Sequence, residues 1–195
     1  MATLVDPAAV PKRMTVEEFL DYPWGDIDAE LVRGEVRVTP MPGAGASWIV
    51  QNVLFALYHY VTARGLGRVF GDGVGYRLPQ HPNMLRGPDV SFVRAERVPA
   101  EVPMRGVLEF APDLAVEVLS PGDTYTETDE KLEDFLEGGS TAAWLVDPRR
   151  RRVAVFVPGE PRRVYAEGGE LDGAPALPGF TMPVGAVFAG VARER

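Results

Sequence analysis

A carboxylate set in the middle of an apolar strand constrains this chain more than any other feature. Leu114-Ala115-Val116-Glu117-Val118-Leu119 is a short apolar run bounded by Pro112-Asp113 and Pro121-Gly122, the pattern of a strand between breakers. Strand alternation puts Leu114, Val116 and Val118 on one face and Asp113, Ala115, Glu117 and Leu119 on the other. Glu117 therefore projects between two apolar neighbours. Ionised and buried without a partner it is costly, and a divalent cation shared with a second carboxylate is one remedy. A strand-end glutamate that reaches water or an arginine is the other.

The rest of the chain supplies what such a strand packs against. Thr15-Val16-Glu17-Glu18 reads as a capping box opening a helix that ends at Tyr22-Pro23. Glu30 to Val32 and Glu35 to Val38 flank Arg33-Gly34, a two-residue hairpin connection. After a loop from Pro40 to Ala46, Ser47 is expected to cap a long helix to about Arg64, with Ile49, Val53, Leu57 and Val61 at helical spacing and Gly65 as its stop. Val69-Phe70, Val74 to Leu78 and Val90 to Val93 read as strands of a central sheet with Leu114 to Leu119. Thr126 is expected to cap a helix to Glu137 whose stripe is Leu132, Phe135 and Leu136. Ala142 to Val146 and Val153 to Val157 form a hairpin across Asp147-Pro148 and Arg149 to Arg152. A last helical turn is expected near Val184 to Phe188. No repeat or linker interrupts the chain, so the expectation is a tail over 1–14 and one mixed α/β domain over 15–195.

Composition narrows the chemistry. With no cysteine and only His59 and His81, thiolate and most imidazole metal sites are excluded, and any ion is held mainly by oxygen, as magnesium or manganese prefer. A net charge of −8 rules out a generally basic coat for nucleic acid. Met1 to Lys12 has no apolar run of the kind an export signal needs, and the uncharged stretch Ser47 to Thr62 is interrupted by Gln51, Asn52 and His59. Neither suits a membrane span of roughly 18 apolar residues. The protein is expected to be soluble and cytoplasmic. Gly-x-Ser-x-Gly, Gly-x-x-x-x-Gly-Lys and dinucleotide fingerprints are absent.

Lys131 stands out because the chain has eighteen arginines and two lysines, the other being Lys12. An ammonium is compact and can lose its proton or hold a water near a scissile bond, which a guanidinium does not do. Its ordinary reading is a solvated partner for Glu127 or Asp134. Gly87-Pro88-Asp89 leads into the strand at Val90. Glu30, at the start of a hairpin strand, is a third acid that sequence alone leaves as a plain strand residue or a site residue.

Taken in order, Glu30-Leu31-Val32-Arg33-Gly34-Glu35, Gly87-Pro88-Asp89-Val90, Pro112-Asp113-Leu114-Ala115-Val116-Glu117-Val118-Leu119-Ser120-Pro121, Lys131 and Trp144-Leu145-Val146-Asp147-Pro148 resemble the Uma family of nucleases, part of the wider PD-(D/E)xK group. The resemblance runs from about Thr15 to Phe188. It implies a restriction-endonuclease-like fold, a central mixed β-sheet flanked by helices. It implies that Asp89 and Glu117 hold Mg²⁺ or Mn²⁺ with the Val118 carbonyl as a further ligand, that Lys131 is the catalytic lysine, and that Glu30 is an auxiliary acid. The usual motif places its lysine two residues after the second acid, where this chain has Leu119; the family moves it to the following helix. Members often carry histidine where this chain has Ala46.

The function implied is metal-dependent hydrolysis of DNA, with DNA as substrate and a homodimer as one possible assembly. Arg149 to Arg152 with Arg162 and Arg163, or Arg64, Arg68, Arg77 and Arg86, are candidate phosphate contacts. Two further readings stay open: a non-catalytic oligomeric binding module on the same fold, and a phosphohydrolase acting on another phosphorylated substrate.

Overall fold

The computed structural model describes residues 10–25, 27–39, 42–102, 106–120 and 122–193. Most of the expected 1–14 tail, Pro40 and Met41 of the expected loop, and Pro121 lie outside the described residues. Helix α1 (Val16–Asp21) opens on the expected capping box: Thr15 Oγ1 accepts from the Glu18 amide and Glu18 accepts from the Thr15 amide. Strands β1 (Asp28–Val32) and β2 (Glu35–Thr39) form the hairpin. Its turn residues Arg33 and Gly34 have φ of 49° and 81°, the double positive φ of a type I′ turn.

Helix α2 (Ala44–Arg64) starts a turn earlier than expected. Its cap is Gly43, and the Ser47 amide already donates to the Gly43 carbonyl, so Ser47 sits inside the helix. It stops at Gly65 with φ 62°. Ile49, Val53, Leu57 and Val61 are buried as the periodicity predicts; each such side chain contributes roughly 1.5–3 kcal/mol when taken fully out of water. His59 is exposed, because it lies on the opposite face of the helix.

Strand β3 (Gly67–Gly71) follows. The expected strand Val74 to Leu78 shrinks to β4 (Tyr76–Arg77), which pairs with β5 (Leu85–Arg86) and not with the central sheet. Backbone bonds from Arg77 to Leu108 and from Leu108 to Gly75 hold this segment away from β3. Next come β6 (Val90–Arg94), β7 (Leu114–Val118), α3 (Tyr125–Glu137), β8 (Ala142–Asp147), β9 (Arg152–Phe156), β10 (Arg163–Ala166), β11 (Glu170–Asp172), β12 (Thr181–Pro183) and α4 (Val184–Val187). The cap of α3 is Thr124, whose hydroxyl accepts from the Glu127 amide; Thr126 lies one residue inside the helix.

Strands β2-β1-β5-β4 form one sheet and β10-β9-β8-β7-β6-β3 the central one, with β11 and β12 paired separately. In the central sheet every neighbouring pair is antiparallel except β7 and β8, which run parallel with Glu117 level with Leu145. Parallel neighbours need a crossover, and α3 is that crossover. The two faces of β7 separate as alternation requires: Leu114, Val116 and Val118 pack under α2, while Ala143 and Leu145 of β8 pack beside Leu132 of α3 on the other side. Glu117 shares the face covered by α3. The architecture is the expected mixed α/β fold, a mixed sheet flanked by helices.

Candidate active site

The topology delivers Asp89, Glu117, Lys131 and Glu30 from four segments. The antiparallel pairing of β6 with β7 sets Val90 against Val116, so one step further along the register Asp89 stands level with Glu117. Asp89 Oδ2 accepts from the Val118 amide at 2.6 Å. From α3, which lies over the same face, Lys131 places Nζ 2.9 Å from Glu30 Oε1 and 3.0 Å from Glu117 Oε1. Glu117 is 6% exposed. Its Oε1 is buried and, although within ion-pair distance of Lys131, lacks a hydrogen bond of good angle.

Glu30 is fully engaged. Oε1 accepts from the Gly87 amide at 2.9 Å, and Oε2 accepts from Arg86 Nη1 at 2.9 Å. The buried Arg86 also donates through Nε to Asp134 Oδ2 at 3.0 Å and pairs with the same carboxylate through Nη2. Asp134 lies one turn beyond Lys131 on α3 and takes a further bond from Arg33 at 3.1 Å. An arginine between two carboxylates thus ties β1, β5 and α3 together and fixes the helix that carries the lysine.

These contacts set the charge states. Burial pushes the Asp89 carboxyl up to about 6, and Lys131 and the Val118 amide offset only part of that. Burial also raises Glu117 well above the usual carboxylate range, helped by the nearby charges of Asp89 and Glu30 and opposed by Lys131. For Glu30 burial acts in the same direction, but Lys131, Arg86 and the Gly87 amide outweigh it and hold its carboxyl below the ordinary value. Burial works against the Lys131 ammonium, yet Glu117, Glu30 and Asp89 together raise it above a normal lysine. Lys131 is therefore a cation that donates hydrogen bonds and keeps its proton, and the alternative of a lysine ready to lose its proton is not favoured here.

Glu117 Oε1, buried with the Lys131 ammonium 3.0 Å away, lies beside the partly buried carboxyl of Asp89, and carboxylate oxygens of this kind are the donors a hard cation prefers. Among the described residues no group of three or more His, Cys, Asp or Glu side chains is placed to hold an ion. Glu30 is engaged by Arg86 and Gly87, which leaves Asp89 and Glu117 as the side chains that could hold an ion.

One sequence expectation is corrected around this centre, and the partners of several other side chains are set. Arg86 is not a phosphate contact but the buried brace just described. Arg150 and Arg152 turn back on Asp147 at 3.4 and 3.2 Å, and Arg151 pairs with Glu167 at 2.6 Å. Of the two Pro-Asp dipeptides, only Pro88-Asp89 reaches the site. Asp113 is tied to Arg94 at 2.6 Å and Arg97 at 2.9 Å near the other end of β7. His81 accepts from the Asn83 amide within its own loop. The brace of Arg86 and Asp134 was missed by the sequence reading. The available signal was an acid at i+3 from the singular lysine, on a face that the helix had to bury.

The fold and this geometry place the protein in the class of α/β proteins with a carboxylate and lysine centre at the heart of a mixed sheet. The profile of the Uma2 family, described as "Putative restriction endonuclease", matches residues 16–185, and the chain belongs to that family. A solved structure described as a "putative nuclease belonging to DUF820" from Anabaena variabilis ATCC 29413 is similar to it. The TM-score is 0.80 at 22% sequence identity, over 90% of this chain and 97% of that one. At that identity the likeness speaks for the fold. No curated protein matches. Among the described residues no helix is long and apolar enough to cross a membrane.

Two stability experiments follow from the charge arrangement. Replacing Arg86 by Met leaves Glu30 only Lys131 and the Gly87 amide, and Asp134 only the half-exposed Arg33, and urea denaturation should show a loss of roughly 3–5 kcal/mol; a loss within error would mean that the brace carries no weight. Asp89→Asn tests the raised carboxyl. A group with a folded value of about 6 against an ordinary 3.8 favours the folded state below the lower value and loses that contribution as pH rises through the higher. In chelated protein the Asn variant should therefore be more stable than wild type by roughly 1–3 kcal/mol at about pH 8, with the advantage gone near pH 4. A difference independent of pH would contradict the assignment.

Proposed function

We propose that the protein is a metal-dependent nuclease that hydrolyses DNA phosphodiester bonds at the Asp89, Glu117 and Lys131 centre. The observation that carries this reading is the meeting of two destabilised carboxyls, Glu117 buried and Asp89 partly buried, with an ammonium 3.0 Å from one of them. Asp89 and Glu117 are the groups that would hold Mg²⁺ or Mn²⁺, with the Val118 carbonyl as the further ligand the family resemblance implies. When bound, such an ion supplies Lewis acidity toward the phosphate and the attacking water.

The chain's own groups do the rest. Asp89 and Glu117 must lose their protons to take a cation, so loading should strengthen as pH rises through about 6. Lys131, held as a cation, donates hydrogen bonds: it can orient a water or stabilise the negative charge that develops on the phosphate. Glu30 acts through Lys131. It fixes where the ammonium points, and Arg86 fixes Glu30, so the auxiliary acid of the sequence reading becomes a positioning residue. Exposed Phe55 and Tyr58 on α2 give a homodimer a surface to use.

The test is cleavage of DNA with magnesium or manganese by wild type and by Asp89→Ala, Glu117→Ala and Lys131→Ala. Each variant should lose about 10²–10⁴-fold in rate. Equal background activity in all four proteins would defeat the reading. Calorimetry with magnesium separates it from a non-catalytic binding module, which has no need of an ion at two carboxylates.

A further inference from the structure

The strand ends beside the centre open onto a cavity of about 720 Å³, within the roughly 300–1,000 Å³ range of small-molecule pockets. Its walls are mostly apolar: Ala46, Trp48 and Ile49 of α2, Leu119 just past β7, Tyr125 at the start of α3, and Val191. Asp123, Asp147 and Arg149 add polar edges. Leu119 follows Glu117 by two residues on the same side of the chain, so this wall begins about 7 Å along the strand from the carboxylate. Tyr125 opens the helix that carries Lys131, about 9 Å down its axis. The cavity and the proposed reaction centre adjoin at one strand end and one helix: Asp89, Glu117 and Lys131 lie on the α3 side of the sheet, and the α2 wall of the cavity lies on the other side.

Charge decides what such a cavity can take. Tight binding of duplex DNA draws on cations that are free to neutralise phosphates, but the chain carries −8 and most described arginines are bound to its own acids. Arg13, Arg94, Arg97, Arg151, Arg163 and Arg193 each stand within 4 Å of a carboxylate. With fewer free cations on offer, uncharged surface has to supply a larger share of the affinity. An apolar pocket with two aromatic side chains gives that surface to a nucleobase, whichever base it is. A base stacked and paired inside a duplex cannot reach it without being extruded.

We infer that this cavity receives an unstacked nucleobase of the strand to be cut, so that the substrate is single-stranded DNA and not closed duplex. The inference rests on the nuclease reading for the identity of the strand, and it is tested by binding in chelator, where no cleavage occurs. Fluorescence anisotropy of a labelled short oligothymidylate and of the corresponding duplex is measured with wild type and with Ala44→Trp and Ala192→Trp. Both alanines are exposed and sit on separate walls, so the indoles fill the cavity without entering the core. Urea midpoints identify the folded variants, and either one suffices.

Wild type should bind the single strand about tenfold more tightly than the duplex, and a filled cavity should weaken the single strand by about tenfold while leaving the duplex unchanged. Equal or tighter binding of duplex, or wild-type affinity in a folded variant, overturns the inference. The nuclease reading fails separately: wild type that binds in this pattern but cleaves nothing with magnesium keeps the pocket and loses the reaction. Wild type that cleaves while the filled variants bind normally keeps the reaction and loses the pocket.

Discussion

One ammonium makes the interior of this protein possible. Glu30, Glu117 and Asp89 converge where water is largely excluded, and three carboxyls there would repel one another and resist ionisation. Lys131 stands against Glu30 and Glu117 at 2.9 and 3.0 Å and its charge also reaches Asp89. Its position follows from topology. Because β7 and β8 are parallel, the chain must cross over between them, and the crossover helix lies on the face of β7 that presents Glu117. The same demand that lets two buried strands pair side by side carries the lysine over the acid.

The ammonium does not balance the site evenly. Glu30 is stabilised by Lys131, Arg86 and the Gly87 amide together, whereas Glu117 keeps an oxygen without a directed donor and Asp89 has a carboxyl raised to about 6. One acid is spent on structure and two are held in discomfort. Buried ionic networks often contribute little net stability compared with well-packed apolar residues. Retaining one here makes sense if the two carboxyls with raised affinity for protons have chemistry to do. Arg86 is the complement of that arrangement: by joining Glu30 to Asp134 it keeps α3 in register, so that the lysine meets the two uncomfortable acids and not open solvent.

Much of this was legible in the chain, for local reasons. The capping box at Thr15 and Glu18, the Arg33-Gly34 turn and the alternation that isolates Glu117 depend on neighbours within a few residues. The scarcity of lysine singled out Lys131, and the family resemblance joined it to Asp89 and Glu30. What stayed hidden was competition and distance. Thr126 was the expected cap of α3, but Thr124, nearer the strand end, took the role. Ser47 lost to Gly43 because the helix could begin a turn earlier on small residues. Arg86 looked like one arginine among many until a partner 48 positions away buried it, and no local pattern announces such a pair.

The proposed chemistry requires Asp89 and Glu117 to form a seat for a hard cation. Anomalous scattering from a crystal soaked in manganese measures that directly. A peak lying between the two carboxyls, lost in Asp89→Asn, is the predicted result. Saturating manganese that leaves the space between them without a peak, or that binds only elsewhere, would contradict it.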